Sequence, residues 1–143
     1  MHTSNATSAP IVKGDSFGKF QCPKNQYEID QMKEKPYASA DGSLQYAQVC
    51  TRPDLAFVTG VLGRYQENPG IEHWKMVKKA LCYVPGTKDL MLTYRSSDSL
   101  EIRGYSDADF AGDKDDRKST SGYVFTLAGG AISWRSSKQS IVA

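Results

Sequence analysis

Between Tyr105 and Asp116 lie five aspartates, Asp107, Asp109, Asp113, Asp115 and Asp116, against a single lysine, Lys114. An apolar lead-in precedes the first two, and after a polar turn a new apolar run begins at Gly122-Tyr-Val-Phe. Carboxylates at the end of a buried strand are costly unless something cationic balances them, so a bound metal is the natural suspect. Three chemistries compete for the stretch. A calcium loop would use Asp107, Asp109, Gly112 and Asp113 at its positions one, three, six and seven. It fails at position five, Ala111, and at position twelve, where Lys118 stands in place of Glu, and its flanks read as strands. A solvated turn needs no cation, since Asp is common in turns. A magnesium-dependent phosphodiester-cleaving site would use several carboxylates to hold ions about 3.5–4 Å apart that activate water and stabilise the leaving oxygen. Asp107 and Asp109 are read as facing opposite sides of a strand, which leaves at most one of them pointing into a pocket.

The chain has 143 residues and a net charge of +2, and because its acids concentrate in 105–116 the remainder is basic. A basic body with an acidic pocket suits a protein that processes nucleic acid. The length holds one ordinary domain or pieces of two. Its hydrophobic content of 39% is enough for a core, which excludes wholesale disorder. Cys22, Cys50 and Cys82 are odd in number and far apart, no Cys-x-x-Cys occurs, and the histidines are His2 and His73. Free thiols in a reducing compartment are therefore expected, rather than zinc or disulfides. The N-terminus shows no signal-peptide pattern and no stretch is long enough to span a membrane. The expectation is an intracellular chain with no membrane partner, cytoplasmic or nuclear.

The elements that must position these residues change period along the chain. Residues 1–35 are polar, with little periodicity, and read as an extended lead-in. Three helices follow. The first covers about 38–50, with Tyr37, Leu44 and Ala47 as core candidates, and Gly42 inside it costs about 1 kcal/mol against Ala. The second starts with Thr51 as N-cap, Pro53 in the first turn and Asp54 three residues on, and its apolar face is Leu55, Val58, Leu62 and Tyr65. The third spans 71–83, with Ile71, Trp74, Val77 and Leu81 on one face and His73, Lys75, Lys78 and Lys79 on others; Pro85-Gly86 ends it. Strands are then expected at 90–94, at 100–105 leading to the acids, and at 122–127 and 131–134, the last two joined through Gly129-Gly130 as a hairpin. Helices before and strands after suggest two units with a boundary near 87–89, an α+β arrangement.

The basic residues have two readings as well. Arg64, Lys75, Lys78 and Lys79 form either a solvated helix face or a sequence-independent, salt-sensitive contact with the phosphates of a duplex, and Arg117 and Lys118 lie in reach of the strands for the same purpose. Trp74 and Trp134 fall on apolar patterns and are expected in the core rather than as base-stacking platforms.

Several separate motifs, in one order and spacing, give the chain a wider likeness. They are Pro36-Tyr37-Ala-Ser-Ala-Asp-Gly42-Ser-Leu44, Cys50-Thr-Arg-Pro-Asp54-Leu-Ala56, Asn68-Pro69-Gly70 before His73-Trp74, and Tyr83-Val-Pro-Gly86-Thr87. They continue with Gly104-Tyr-Ser-Asp107-Ala-Asp109-Phe-Ala-Gly112, Arg117-Lys-Ser-Thr-Ser-Gly122-Tyr, and Gly130-Ala-Ile-Ser-Trp134 before Ser137-Lys-Gln139. In these the chain resembles part of the Pol polyprotein of plant copia-type LTR retrotransposons. The resemblance implies that residues 36–88 are the helical thumb and connection at the end of a reverse transcriptase. It implies that residues 89–143 are the truncated N-terminal part of a ribonuclease H-like domain, with only the first strands of its sheet. Asp107 matches the family's first catalytic acid and would ligate Mg2+, with Mn2+ as a substitute, while the other acids of that site have no counterpart in 1–143. The implied partners are an RNA–DNA hybrid or duplex and the rest of the polyprotein. Asp41, Cys82 and Pro85 depart from the family's pattern, and together they fit a decaying copy. The chain alone is expected to be inactive; the alternatives are a nucleic-acid binding or interaction protein and a functionless translated remnant.

Overall fold

The buried apolar residues come from helices. A computed structural model describes residues 9–12, 14–96 and 100–142, and contains four α-helices followed by three strands. The helices are α1 (Gln26–Lys33), α2 (Tyr37–Cys50), α3 (Ala56–Leu62) and α4 (Ile71–Gly86); the strands are β1 (Ile102–Ala108), β2 (Thr120–Leu127) and β3 (Gly130–Lys138). Short 3-10 turns lie at Lys19–Gln21, Pro53–Leu55 and Gly63–Tyr65. Leu44, Leu55, Val58, Leu62, Val77, Ala80 and Tyr83 pack together with Met32 and Tyr37. Trp74 packs against this cluster, as expected, whereas Leu81, also expected in the core, is left exposed.

The expected extended lead-in is more structured than its composition suggests. Asn25 caps α1 by accepting from the N–H of Glu28, and Met32 on that helix reaches the core. Met1–Ser8 lie outside the described residues. The Lys19–Gln21 turn runs so close to the start of α4 that a Cβ on Gly70 would fall 1.7 Å from the Gln21 carbonyl oxygen. That approach buries the first turn of α4. His73 is consequently fully buried instead of sharing a solvated face with the lysines, and its Nδ1 accepts from the Gly70 N–H at 3.0 Å. Its ring stacks on Tyr65 at 4.0 Å.

The start of the second helix also differs from expectation. Thr51 is the C-cap of α2, donating its N–H to Ala47, and it is not an N-cap. Arg52 precedes a proline, which disfavours helical backbone there, so the chain turns before α3 can begin. Arg52 and Asp54 form a two-bond ion pair at 3.0 and 2.7 Å. Tyr83 donates to Asp54 at 2.8 Å, Arg52 donates to Thr87 at 2.6 Å, and the Arg52 guanidinium lies 5.4 Å from the Tyr83 ring centre. This cluster ties the α2–α3 corner to the end of α4. Helix α4 itself runs on to Gly86, with Pro85 inside its last turn. Thr87 Oγ1 satisfies the Tyr83 carbonyl at 2.9 Å.

The sheet is antiparallel in the order β1-β2-β3. The β2–β3 hairpin turns through Ala128 and Gly129, both at positive φ, as the glycine pair led one to expect. A strand was also expected at 90–94; that stretch makes no ladder, although Arg95 donates to the Ala128 carbonyl and Tyr94 to the Ala131 carbonyl. The sheet adds nothing to the buried apolar cluster. It is held to the helices by α3 against β3, where Gly60 lets the Ser136 backbone approach, and by Trp134 Nε1–H donating to the Gln48 carbonyl at 3.0 Å.

Candidate functional site

The acidic stretch begins inside β1 and continues through the loop to β2. Register sets which residues share a face: Asp107 lies opposite Gly122 and, one strand further, Ser136, while Tyr105 lies opposite Val124 and Trp134. Trp134 binds α2, so this is the helix-facing side of the sheet. A groove of about 420 Å³ opens there, walled by Pro53, Phe57, Tyr105, Asp107, Val124 and Trp134.

Four of the five aspartates are engaged by the protein itself. Asp109 accepts from the Thr120 N–H. Asp113, whose side chain is 2% exposed, pairs with Arg64 at 2.7 Å and Lys138 at 3.1 Å, and accepts from the Asp115 N–H. Asp115 accepts from the Lys19 N–H at 2.7 Å and from the Tyr65 hydroxyl at 3.2 Å. Asp116 pairs with Lys138 at 2.8 Å. Burial alone would raise the Asp113 carboxyl, but the Asp115 N–H and the charges of Lys138 and Arg64 outweigh it and hold the group below the usual carboxylate range. The Lys138 ammonium is raised in turn, chiefly by its bond to Asp116. The loop is a clasp that fastens the N-terminal segment and the α3 region to the sheet.

Asp107 is the exception. It is exposed on the groove, and among the described residues its carboxylate accepts only from the adjacent Ala108 N–H, at 2.8 Å. The expectation that Asp107 and Asp109 face opposite sides needs correcting: residues two apart in a continuous strand share a face. What separates them is the end of β1 at Ala108, after which Asp109 turns to bind Thr120.

The basic candidates are dispersed. Arg64 is committed to Asp113, Lys79 to Asp15 at 2.6 Å, and Lys75 to Glu72 at 2.6 Å. Lys78 and Arg117 are exposed and Lys118 is half-buried, and none of the three is in an ion pair among the described residues. Arg117 holds a positive φ of 57° in the loop. Sequence alone did not join Lys138 and Tyr65 to the loop. No local spacing announces them, because each bond to the loop crosses many residues of chain.

No group of three or more His, Cys, Asp or Glu side chains among the described residues could hold a metal ion. No described helix is long and apolar enough to cross a membrane.

Comparison with known proteins gives the chain its context. It is 48% identical over 143 residues to the "Retrovirus-related Pol polyprotein from transposon TNT 1-94" of Nicotiana tabacum, an alignment covering 100% of this chain and 11% of that protein. It is 43% identical over 103 residues, 72% of this chain and 7% of the relative, to the "Retrovirus-related Pol polyprotein from transposon RE2" of Arabidopsis thaliana. The chain belongs to the Pol polyproteins of copia-type retrotransposons. It spans a small part of those polyproteins. A further relative, "Secreted RxLR effector protein 161" of Plasmopara viticola, is 47% identical over 112 residues, 78% of this chain and 79% of that protein. No family model matches the chain, and no solved structure matches it. In the Pol segment, the motif Cys50-Thr-Arg-Pro-Asp54 is explained by the Arg52–Asp54–Tyr83 cluster, and Asn68-Pro69-Gly70 with His73 by the buried start of α4.

Proposed function

We propose that this Pol segment joins the helical end of a reverse transcriptase, residues 36–88, to the first strands of a ribonuclease H-like domain, residues 89 onward. Its parent activity is then magnesium-dependent hydrolysis of the RNA strand of an RNA–DNA hybrid. The observation that carries this reading is the state of Asp107. Of five clustered aspartates it alone keeps a carboxylate outside the loop's internal bonding, on a groove at a strand end. Such an acid can meet a metal held also by substrate phosphates.

One free carboxylate does not make that site. Hydrolysis with two ions needs several acids, and these residues do not fit a resident Mg2+ by themselves. The segment alone therefore leaves a hybrid uncut, and the remaining carboxylates come from the rest of the polyprotein. Contact with a hybrid or duplex falls to Lys78, Arg117 and Lys118, since Arg64, Lys75 and Lys79 are already paired.

Paramagnetic broadening by Mn2+ tests the reading without activity. Millimolar Mn2+ should broaden the amide signals of Asp107 and Ala108 first, and Asp107→Asn should remove the effect. Broadening centred on residues 113–116, unchanged in Asp107→Asn, would refute it. A labelled hybrid incubated with Mg2+ or Mn2+ should stay intact; cleavage lost in Asp107→Asn would show that the segment completes its own site.

A further inference from the structure

We infer that His73 is an acid-sensitive catch: its neutral ring holds the N-terminal strap, residues 16–22, closed on the start of α4, and uptake of a proton from water releases that strap. The catch works through hydrogen-bond polarity. His73 is the third residue of α4, and its Nδ1 accepts from the N–H of Gly70, the N-cap, at 3.0 Å. Nδ1 therefore carries no proton, and the neutral ring keeps its proton on Nε2. An added proton has only Nδ1 to occupy, where it would meet the Gly70 N–H donor to donor. Nε2 has no hydrogen-bond partner among the described residues, so the cation would lack an acceptor on its other side as well. The ring is fully buried and stacks within 10° of parallel on Tyr65. Opening to water supplies both missing acceptors and the lost hydration.

The strap is built to move as a unit. Gly18 donates its N–H to Gln21 Oε1 at 3.1 Å, and Gln21 Nε2 donates to the Ser16 carbonyl at 2.9 Å. Its seat on α4 is the close approach of the Gln21 carbonyl to Gly70, which a side chain at position 70 would block. The strap also reaches the acidic loop. The Lys19 N–H donates to Asp115 at 2.7 Å, and Lys114 Nζ donates to Ser16 Oγ at 2.9 Å. Release of the strap therefore undoes the N-terminal side of the clasp, while Arg64 and Lys138 still hold Asp113.

The groups around the ring leave His73 as the one that changes charge near pH 6. Burial holds its imidazole below the ordinary range, against the Gly18 backbone and the charges of Asp115 and Glu72, which favour the cation. Asp115 offers no direct bond to the ring, being occupied by the Lys19 N–H and the Tyr65 hydroxyl. Tyr65 on the neighbouring turn and Cys22 on the strap are both raised, first by burial and then by the charge of Asp115, and stay neutral. The nearby cations are Lys19 and Arg64, the latter paired with Asp113. Ordinary carboxyls titrate lower, at about 3.9–4.3. A ring lowered on folding keeps the strap fully closed above the ordinary imidazole value, about 6.5, and loosens it as pH falls through that value.

Amide hydrogen exchange of the 143-residue chain, followed by NMR at about pH 7.5 and about pH 5, is the direct test, since these lie either side of the ordinary imidazole value. With the pH dependence of the chemical step removed, the Lys19, Cys22 and Gly70 amides should open more often in acid. One proton per opening sets the rise at up to about thirtyfold, the limit for a closed ring that stays neutral. His73→Gln keeps an acceptor for the Gly70 N–H and cannot charge, so its strap should ignore the same change. His2, the other histidine, is present in both chains and cancels. Gly70→Ala drives a methyl into the Gln21 carbonyl and should leave the strap amides unprotected at both pH values, with the helices intact by circular dichroism. Parent amides indifferent to pH, an equal rise in His73→Gln, or strap protection retained in Gly70→Ala would each overturn the inference. Helices lost by the parent chain at the lower pH would also overturn it, because the release would then be global.

Discussion

Replacing Asp41 should stabilise this protein. Asp41 follows Tyr37 and precedes Leu44 at helical spacing, which puts a carboxylate in the middle of the inward stripe of α2. It is 0% exposed. Its Oδ2 accepts from Gln66 at 2.6 Å and Gln45 at 3.2 Å, while Oδ1 has no partner among the described residues. Neither partner is a cation. Burial raises the carboxyl above its usual range, and the bonds from Gln66 and Gln45 oppose this without cancelling it. A carboxyl raised on folding contributes stability that is complete below its unfolded value, about 3.9, and lost as pH rises through its folded value. Near neutrality the chain folds against either a buried charge or a retained proton. Asp41→Ala removes that cost and gains about 0.5 kcal/mol of helix propensity. It gives up two hydrogen bonds, but the donors belong to half-buried Gln45 and exposed Gln66, which can turn to water. The net expectation is a gain of about 1–3 kcal/mol at about pH 8, shrinking as the pH falls to about 4.5. Urea unfolding of both chains at the two pH values measures it, and the difference between chains cancels every carboxylate they share. A variant less stable at pH 8, or a difference equal at both values, would refute the reasoning.

Two other outcomes follow from the acidic clasp. Arg64→Met leaves Asp113 with Lys138 as its one cation among the described residues and should cost about 1–3 kcal/mol in urea unfolding, whereas Lys78→Met on an exposed face should cost under about 0.5 kcal/mol. Asp113, Asp15 and Asp54 are all held below the usual carboxylate range by their bonded partners, despite burial that pushes the other way. Their contribution is present above the unfolded carboxylate value and is lost as pH falls through it toward the folded values. Trp134 fluorescence in a Trp74→Phe chain should therefore report release of the sheet from α2 in acid, and Asp113→Asn should flatten that limb.

How much was legible in the sequence depended on how far apart the interacting residues lie. Helices α2 and α4 and the β2–β3 hairpin came from periods of 3.6 and 2 and from a glycine turn, all signals within one element. The α+β arrangement followed from their segregation. The N-terminal helix was missed because α1 has a cap but little apolar stripe, and its one core residue, Met32, is meaningful only beside the other helices. Thr51 met the sequence rule for an N-cap, but Arg52-Pro53 delayed the next α-helix to Ala56. His73 looked solvated because its neighbours in sequence are lysines; the turn that buries it arrives from Lys19–Gln21. At the site, composition located the acids and could not sort them. Sorting required partners such as Arg64, Tyr65 and Lys138, which no local pattern connects to the loop.

The sorted acids also bear on why the sheet stays with the helices. Residues of β1–β3 contribute no member of the buried apolar cluster, so the sheet is not tied to the helices through that core. The attachment is polar: Trp134 to Gln48, Arg64 to Asp113, and Tyr65 and the Lys19 N–H to Asp115. Several of these bonds depend on ionised carboxylates, and all lie on the helix side of the sheet or in the loop. The outer edge of β1 receives none. Attachment through the loop thus fixes where the sheet sits while leaving Asp107, and the strand that bears it, open. That combination leaves one acid exposed at the groove. The same five aspartates therefore divide by physics into four engaged by the protein's own groups and one, Asp107, whose carboxylate stays exposed at the groove.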